Sequence, residues 1–179
     1  MTKQELDQKM LQLQQGDESA FEDIYNETKR GLFAFITSIC RNYQTAEDMM
    51  QVAYIRLRTT ISSYRAGSNA YAWLYTIAKN ATLNELNRQK RELSTDAIED
   101  NPNVAKYYID EECSPVTALM DKVLGDEERQ IVTLHVISGF KHREIAEMMG
   151  KPLGTVMWAY NNALAKLKRA IQREEDYEA

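Results

Sequence analysis

The sequence predicts an all-α protein of two small helical domains joined by an acidic linker, the C-terminal one a helix–turn–helix. Three observations lead there. Glycine and proline are scarce, 7 and 3 among 179 residues, and no long run alternates apolar with polar residues as a half-buried strand does. Apolar residues instead recur at helical spacing at both ends of the chain. Between the ends the periodicity dissolves into LSTDAIEDNPNVAKYYIDEEC, an acidic stretch containing Asn101-Pro102-Asn103. The boundaries read from this pattern are 1–92, a linker over 93–113, and 114–179.

In the first domain a helix is expected over residues 3–14, stopping near Gly16-Asp17. A second covers about 19–41, with Phe21, Ile24, Tyr25, Leu32, Phe33, Phe35, Ile36 and Ile39 as core candidates. Thr45 followed by Asp48 resembles a capping box and opens a third helix over about 46–62. The polar loop 63–69 contains Gly67, and Ser68 or Asn69 can cap the next helix. That helix, 71–91, reads YAWLYTIAKNATLNELNRQKR. Leu74, Ile77, Ala78 and Ala81 form its apolar stripe, while Trp73, Asn80, Asn84, Asn87, Arg88 and Arg91 fall on another side. An aromatic start, then amides, then cations suits a helix that stacks on unpaired bases, bonds base edges and neutralises phosphates. A solvated amphipathic helix with a basic end has the same pattern.

In the second domain Ser114-Pro115 supplies an N-cap and a proline at the first helical position. Helices are expected over about 115–124, 127–138 and 143–149, and from 152 or 154 to 173, with Gly139 at a C′ position and the tail frayed. Two of these, separated by Gly150-Lys151-Pro152, make a helix–turn–helix whose second helix can enter a major groove. Ile145, Ala146 and Met149 are expected to pack against Val156, Tyr160, Ala163, Leu164 and Leu167. Trp158, Ala159 and Asn162 are expected to project outward, flanked by Met157 and Asn161. Any three-helix bundle with tight turns shares this packing. Glu144-Ile145-Ala146 followed by Gly150 and Thr155-Val156 favours DNA binding.

Composition bounds the function. A hydrophobic content of 44% with 27% charged residues and a mean hydropathy of -0.54 describe a soluble chain. No apolar run approaches the roughly 20 residues of a membrane span, and the N-terminus lacks a signal-peptide core. Cys40 and Cys113 stand apart without metal-ligand spacing, which fits a reducing cytoplasm. The net charge is -5, unlike a simple basic nucleic-acid binder, but it is unevenly spread. Residues 1–91 carry +2, residues 92–120 carry -6 and residues 121–179 carry -1. His135 and His142 are the chain's two histidines; neither lies near a nucleophile or metal cluster in sequence, and no phosphate-cradling glycine loop occurs. An enzyme is not expected.

Taken in order, GDESAFEDIY, AEDMMQ and AWLYTIAKNATLNELNRQKR resemble region two of bacterial sigma factors of the extracytoplasmic-function (ECF) family. DEERQIVTL, REIAEMMG and GTV resemble region four of the same family. The resemblance covers nearly the full chain. It implies a subunit, not itself catalytic and without cofactor or metal, that binds core RNA polymerase at the β′ clamp helices and the β flap. Such a subunit recognises two-part promoter DNA and starts strand opening. Many family members are held inactive by an anti-sigma factor.

By similarity, Glu47, Asp48, Gln51 and Val52 occupy the polymerase-binding stretch. Asp48 and Gln51 bring carboxylate and amide chemistry suited to a basic coiled coil; Val52 stands where the family usually has an acidic residue. Tyr64, Arg65, Ser68 and Asn69 fall where the family flips a base of the minus-ten element, a step costing a few kcal/mol of unstacking. Trp73 is a stacking platform or a buried bundle aromatic, and support of the fold is its main role in the family. Asn80, Asn84 and Arg88 match positions at the duplex edge, with Asn84 replacing a common acidic residue. Lys79, Lys90 and Arg91 would add phosphate contacts.

In the region-four match, Thr155-Val156 leads into MWAYNNALAK where the family has a basic-rich stretch. Thr155, Met157, Trp158, Ala159, Asn161 and Asn162 are the implied minus-thirty-five contacts. Asn can read adenine bidentately, and an exposed Ala or Trp can meet a thymine methyl. The nearest cations are Arg143, Lys151, Lys166 and Lys168. An unusual minus-thirty-five preference with a shallow salt dependence is expected. The acidic middle would thread toward the polymerase active site and RNA exit path; its composition alone fits a solvated tether. Two other classes compete. A stand-alone helix–turn–helix regulator explains 126–169 but not AEDMMQ or the aromatic-to-basic helix. A sigma-like protein-interaction module draws support from the depleted recognition helix.

Overall fold

The structure, a computed structural model, describes residues 1–96 and 115–178. It divides into two compact units, Met1–Lys106 and Tyr107–Ala179, and the described residues contain helices and no strand. The all-α expectation holds. The acidic 97–114 segment, including the short ordered pieces expected near 104–109, lies outside the described residues.

The first unit packs four helices: α1 (Lys3–Gln14), α2 (Ser19–Cys40), α3 (Tyr43–Thr60) and α4 (Ala70–Asp96). Thr2 and Glu5 close a capping box on α1: Thr2 Oγ1 accepts from the Glu5 amide at 3.2 Å and Glu5 accepts from the Thr2 amide at 2.7 Å. The core is a set of i, i+3, i+4 stripes turned toward one another. Leu6, Met10 and Leu13 of α1, Ile24, Leu32, Phe35 and Ile36 of α2, Leu57 of α3, and Leu74 and Ala78 of α4 are all buried where these helices pack on one another. Burying each large aliphatic or aromatic side chain contributes about 1.5–3 kcal/mol. Of the core expected on α2, Ile24, Leu32, Phe35 and Ile36 are buried, while Phe21, Tyr25, Phe33 and Ile39 are half-covered.

Polar groups inside this unit are satisfied. Thr28 is buried, its hydroxyl lying 2.6 Å from the Ile24 carbonyl and 2.8 Å from the Tyr54 hydroxyl. Helix α3 starts earlier than expected. Asn42 caps it, accepting from the Thr45 amide at 2.8 Å, so Thr45 is donor to the cap and not the cap itself. Asn is a strong N-cap and precedes Thr45 by three residues. At its far end α3 tightens into a 3₁₀ turn, Ile61–Ser63, and the Gln14 amide donates to the carbonyls of Ile61, Ser62 and Tyr64. One α1 side chain thereby occupies carbonyls that a helix end leaves unpaired.

The second unit contains α5 (Pro115–Val123), α6 (Asp126–Val132) continuing into a π turn at Thr133–Ile137, α7 (His142–Met149) and α8 (Leu153–Glu178). Met120, Leu124, Val132 and Ala163 form a buried cluster, joined by Val123, Tyr160 and Leu167. Gly150 has φ 65°, the left-handed conformation that lets the chain leave α7 and start α8 in a tight turn. The Lys151 amide closes that turn on the Ala146 carbonyl at 2.9 Å. Two packing expectations for α8 are corrected here, and the outward projection of Asn162 at the site. Ala159 is 4% exposed: three residues on from Val156 and four before Ala163, it belongs to the inward stripe. Leu164, expected inward, is exposed because it falls a full residue past that stripe.

Candidate nucleic-acid interface

Three surfaces carry the residues singled out in sequence. On α3, Asp48 and Gln51 are exposed, and Glu47 and Val52 are half-buried. Ala46, Met49, Ala53 and Leu57 anchor the opposite side in the core, which fixes the outward direction of this face. Ile55 is 62% exposed and lies four residues beyond Gln51, extending the same stripe. Sequence reasoning missed it. The signal was present as an apolar residue out of phase with the core positions 53 and 57.

The loop between the 3₁₀ turn and α4 is held by a carboxylate from α1. Asp7 accepts the Tyr64 hydroxyl and the Gly67 amide, the latter at 3.2 Å to both oxygens. The Tyr64 hydroxyl also lies 2.9 Å from the Ser68 carbonyl, so its one proton is shared between the two acceptors. Burial, reinforced by the bond to Asp7, pushes the Tyr64 hydroxyl up to about 12. Tyr64 is therefore buried and held within its own loop. Gly67, at φ 75°, gives the loop the left-handed residue its turn requires. Asn69 caps α4, accepting from the Ala72 amide at 3.2 Å, and Trp73 packs on Tyr64 with ring centroids 5.1 Å apart. Trp73 is half-buried, as a supporting aromatic is. Arg65 and Ser68 are exposed at the loop surface. Asp7, at the base of this loop, had no local sequence signal.

Along α4, Leu74, Ala78 and Ala81 are buried and Asn80, Asn84, Asn87, Arg88, Lys90 and Arg91 are exposed, with Lys79 partly covered. Arg88 is bound by two carboxylates of its own helix, Glu85 at 2.7 Å and Glu92 at 2.6 Å. The Glu85 bond and the two negative charges raise the guanidinium above its ordinary range and keep it charged. Binding any outside anion would require Arg88 to exchange these acids for it.

On the helix–turn–helix unit the second helix presents Thr155, Met157, Trp158 and Asn161 outward. Asn162, expected to project outward, instead turns with Lys166 toward α6, where Glu128 accepts Asn162 Nδ2 at 2.6 Å, Lys166 Nζ at 2.7 Å and the Gly125 amide at 3.0 Å. Burial opposes the charge of Glu128, but the bonds from Lys166, Gly125 and Asn162 outweigh it and hold the carboxyl below its ordinary range. Lys151 pairs with Glu127 at 2.6 Å, and Arg143 lies 3.9 Å from Glu147. Arg143, Lys151 and Lys166, three of the four cations expected at the minus-thirty-five element, thus have a carboxylate of their own unit beside them, while Lys168 is exposed. The Arg143 pair is fully exposed and weak, since solvent screens it.

His135 and His142 stack at 4.3 Å with Tyr160 edge-on to His135 at 4.8 Å. His135 Nδ1 lies 2.7 Å from the Phe140 carbonyl. Burial, then the neighbouring His135, lowers the His142 imidazole below its usual range. This cluster braces the junction of α6, α7 and α8. Among the described residues no group of three or more His, Cys, Asp or Glu side chains could hold a metal ion. No helix among them is long and apolar enough to cross a membrane.

Comparison with known proteins places these surfaces in one family. Residues 24–92 match Sigma-70 region 2 and residues 123–167 match Sigma-70, region 4. The RNA polymerase sigma-H factor of Pseudomonas aeruginosa is 26% identical over 187 aligned residues, covering 96% of this chain and 97% of that one. The ECF RNA polymerase sigma factor EcfG of Rhodopseudomonas palustris is 30% identical, covering 78% of each chain. Among solved structures, the sigma factor RpoE of Bartonella quintana, in complex with the anti-sigma factor NepR, superposes with a TM-score of 0.68. It shares 24% identity, and the match covers 84% of this chain and 98% of that one. With both sigma regions matched in chain order and an ECF sigma factor aligned across most of its length, this chain belongs to the ECF family of RNA polymerase sigma factors.

Proposed function

We propose that this ECF sigma factor divides its work among three surfaces of the described helices. The outward stripe of α3, Asp48, Gln51, Val52 and Ile55, seats on the clamp helices of core polymerase. The Arg65–Asn69 loop and the amide-and-cation face of α4 engage the opening minus-ten element. The exposed face of α8 enters the major groove at the minus-thirty-five element. The observation that carries this reading is the α3 stripe: a carboxylate, an amide and an exposed isoleucine on a helix whose other side is locked in the core. A stand-alone regulator has no use for such a surface.

The domains act as residues 1–92 and 114–179, with the 93–113 segment as a tether in the cytoplasm. The Bartonella quintana relative is described with an anti-sigma factor, and a partner of that kind covering the α3 stripe would hold this chain inactive. The test is binding to bacterial core polymerase, wild type against an Asp48→Ala, Gln51→Ala double variant. A loss of about tenfold or more, the effect of roughly 1.4 kcal/mol, supports the reading. Equal binding by both proteins removes the α3 assignment.

A further inference from the structure

We propose that α8 selects its promoter by thymine methyl groups, touched by an apolar ridge of Leu153, Met157 and Trp158. The proposal rests on the reading of α8 as the minus-thirty-five helix and says what that helix reads. Leu153, Met157 and Trp158 are 42%, 45% and 68% exposed. Leu153 and Met157 lie one turn apart on one face and Trp158 adjoins them. They occupy the first two turns of the second helix of a helix–turn–helix, the part that meets base edges.

Several polar alternatives at this surface are withdrawn, leaving Thr155 and Asn161 exposed. Asn162 bonds Glu128 at 2.6 Å and Lys166 bonds the same carboxylate at 2.7 Å. Lys151 is taken by Glu127 at 2.6 Å, and Ala159 is inside. Bidentate reading of guanine by Arg or Lys has no side chain to perform it on the outward face of these turns. Asn161 remains as an exposed amide beside the ridge. The major groove offers one prominent apolar feature, the C5-methyl of thymine. A ridge of three apolar side chains, with Lys151 and Lys166 held by carboxylates, is matched to that feature, and a run of G·C pairs would leave the ridge without a partner.

The test uses holoenzyme assembled from the full chain and core polymerase, offered duplexes randomised across both promoter elements. The bound fraction is sequenced. Thymines should concentrate on one strand at the minus-thirty-five position. Replacing a contacted thymine by deoxyuridine, which removes only the methyl, should weaken binding about threefold to fourfold, the value of one buried carbon. That penalty should vanish at one thymine in Trp158→Ala holoenzyme and at another in Met157→Ala holoenzyme. Both side chains are on the surface, so two variants guard against a loss of folding in either. Sequence-specific retention in which deoxyuridine is neutral, or in which no thymine is enriched, overturns the methyl reading and leaves the sigma reading standing. The same holds if the ridge binds a protein and its variants leave promoter choice untouched. No sequence-specific retention at all overturns both.

Discussion

Glu128→Gln tests the node that ties α8 to α6. The native carboxylate accepts three hydrogen bonds, from Gly125, Asn162 and Lys166, at 3.0, 2.6 and 2.7 Å. Bonds to a charged group contribute about 1.5–3 kcal/mol and neutral ones about 0.5–1.5, so an amide forfeits about 1 kcal/mol per bond. Part of that near 3 kcal/mol is offset because the variant no longer buries a charge, leaving about 2 kcal/mol. In a domain of this size the melting temperature of the second unit should fall by about 10 °C, followed by hydrogen exchange in α6 and α8. Lys166, released, becomes available to a phosphate, so the salt dependence of promoter binding by holoenzyme should steepen by about 0.9 in log–log slope. The pH behaviour has a definite sign. A carboxyl held below its ordinary range stabilises the fold at pH above that range, and this stability drains away as pH falls through the lowered value. The variant should lack that acid-sensitive portion. A melting temperature within about 2 °C of wild type together with an unchanged salt slope would refute the reasoning.

Other perturbations probe other parts. Tyr64→Phe removes the donor to Asp7 and to the Ser68 carbonyl; it should cost about 1.5–3 kcal/mol in the first unit and slow minus-ten opening, read by permanganate reactivity of unpaired thymines. His142 has a lowered pKa, so its neutral form belongs to the fold. The stability it contributes is present above about 6.5 and is lost as pH falls through its folded value. The second unit should therefore melt earlier at pH 5 than at pH 7, and His142→Phe should flatten that difference. Gly150→Ala places a side chain at φ 65° and should destabilise the second unit by about 1–2 kcal/mol, measured by urea unfolding; the space around the glycine is open, so the penalty is the backbone's own.

The helices were legible because the core stripes obey one rule: Ile24, Leu32, Phe35 and Ile36, or Leu74, Ala78 and Ala81, recur at helical spacing and are buried together. The turn glycines were legible for the same local reason, since Gly139 and Gly150 both take φ above 60°. What escaped was long-range. Asp7 reaches Tyr64 and Gly67 across 57 and 60 residues, and Glu128 reaches Asn162 and Lys166 across 34 and 38. Spacing along a helix carries no information about such pairs. Ala159 was misplaced because a small residue fits either face, and the choice turns on the phase set by Val156 and Ala163. Asn42 was overlooked as a cap because Thr45 and Asp48 offered a familiar pattern three residues later.

As an ECF sigma factor, this chain confers promoter-specific initiation on core RNA polymerase. The most direct test of that role adds the purified protein to core polymerase on sheared bacterial genomic DNA and maps the 5′ ends of the transcripts. New starts should appear, absent with core alone, each preceded by a shared pair of elements and lost with the Asp48→Ala, Gln51→Ala variant. A stable complex with core polymerase that yields no new start sites would contradict that role.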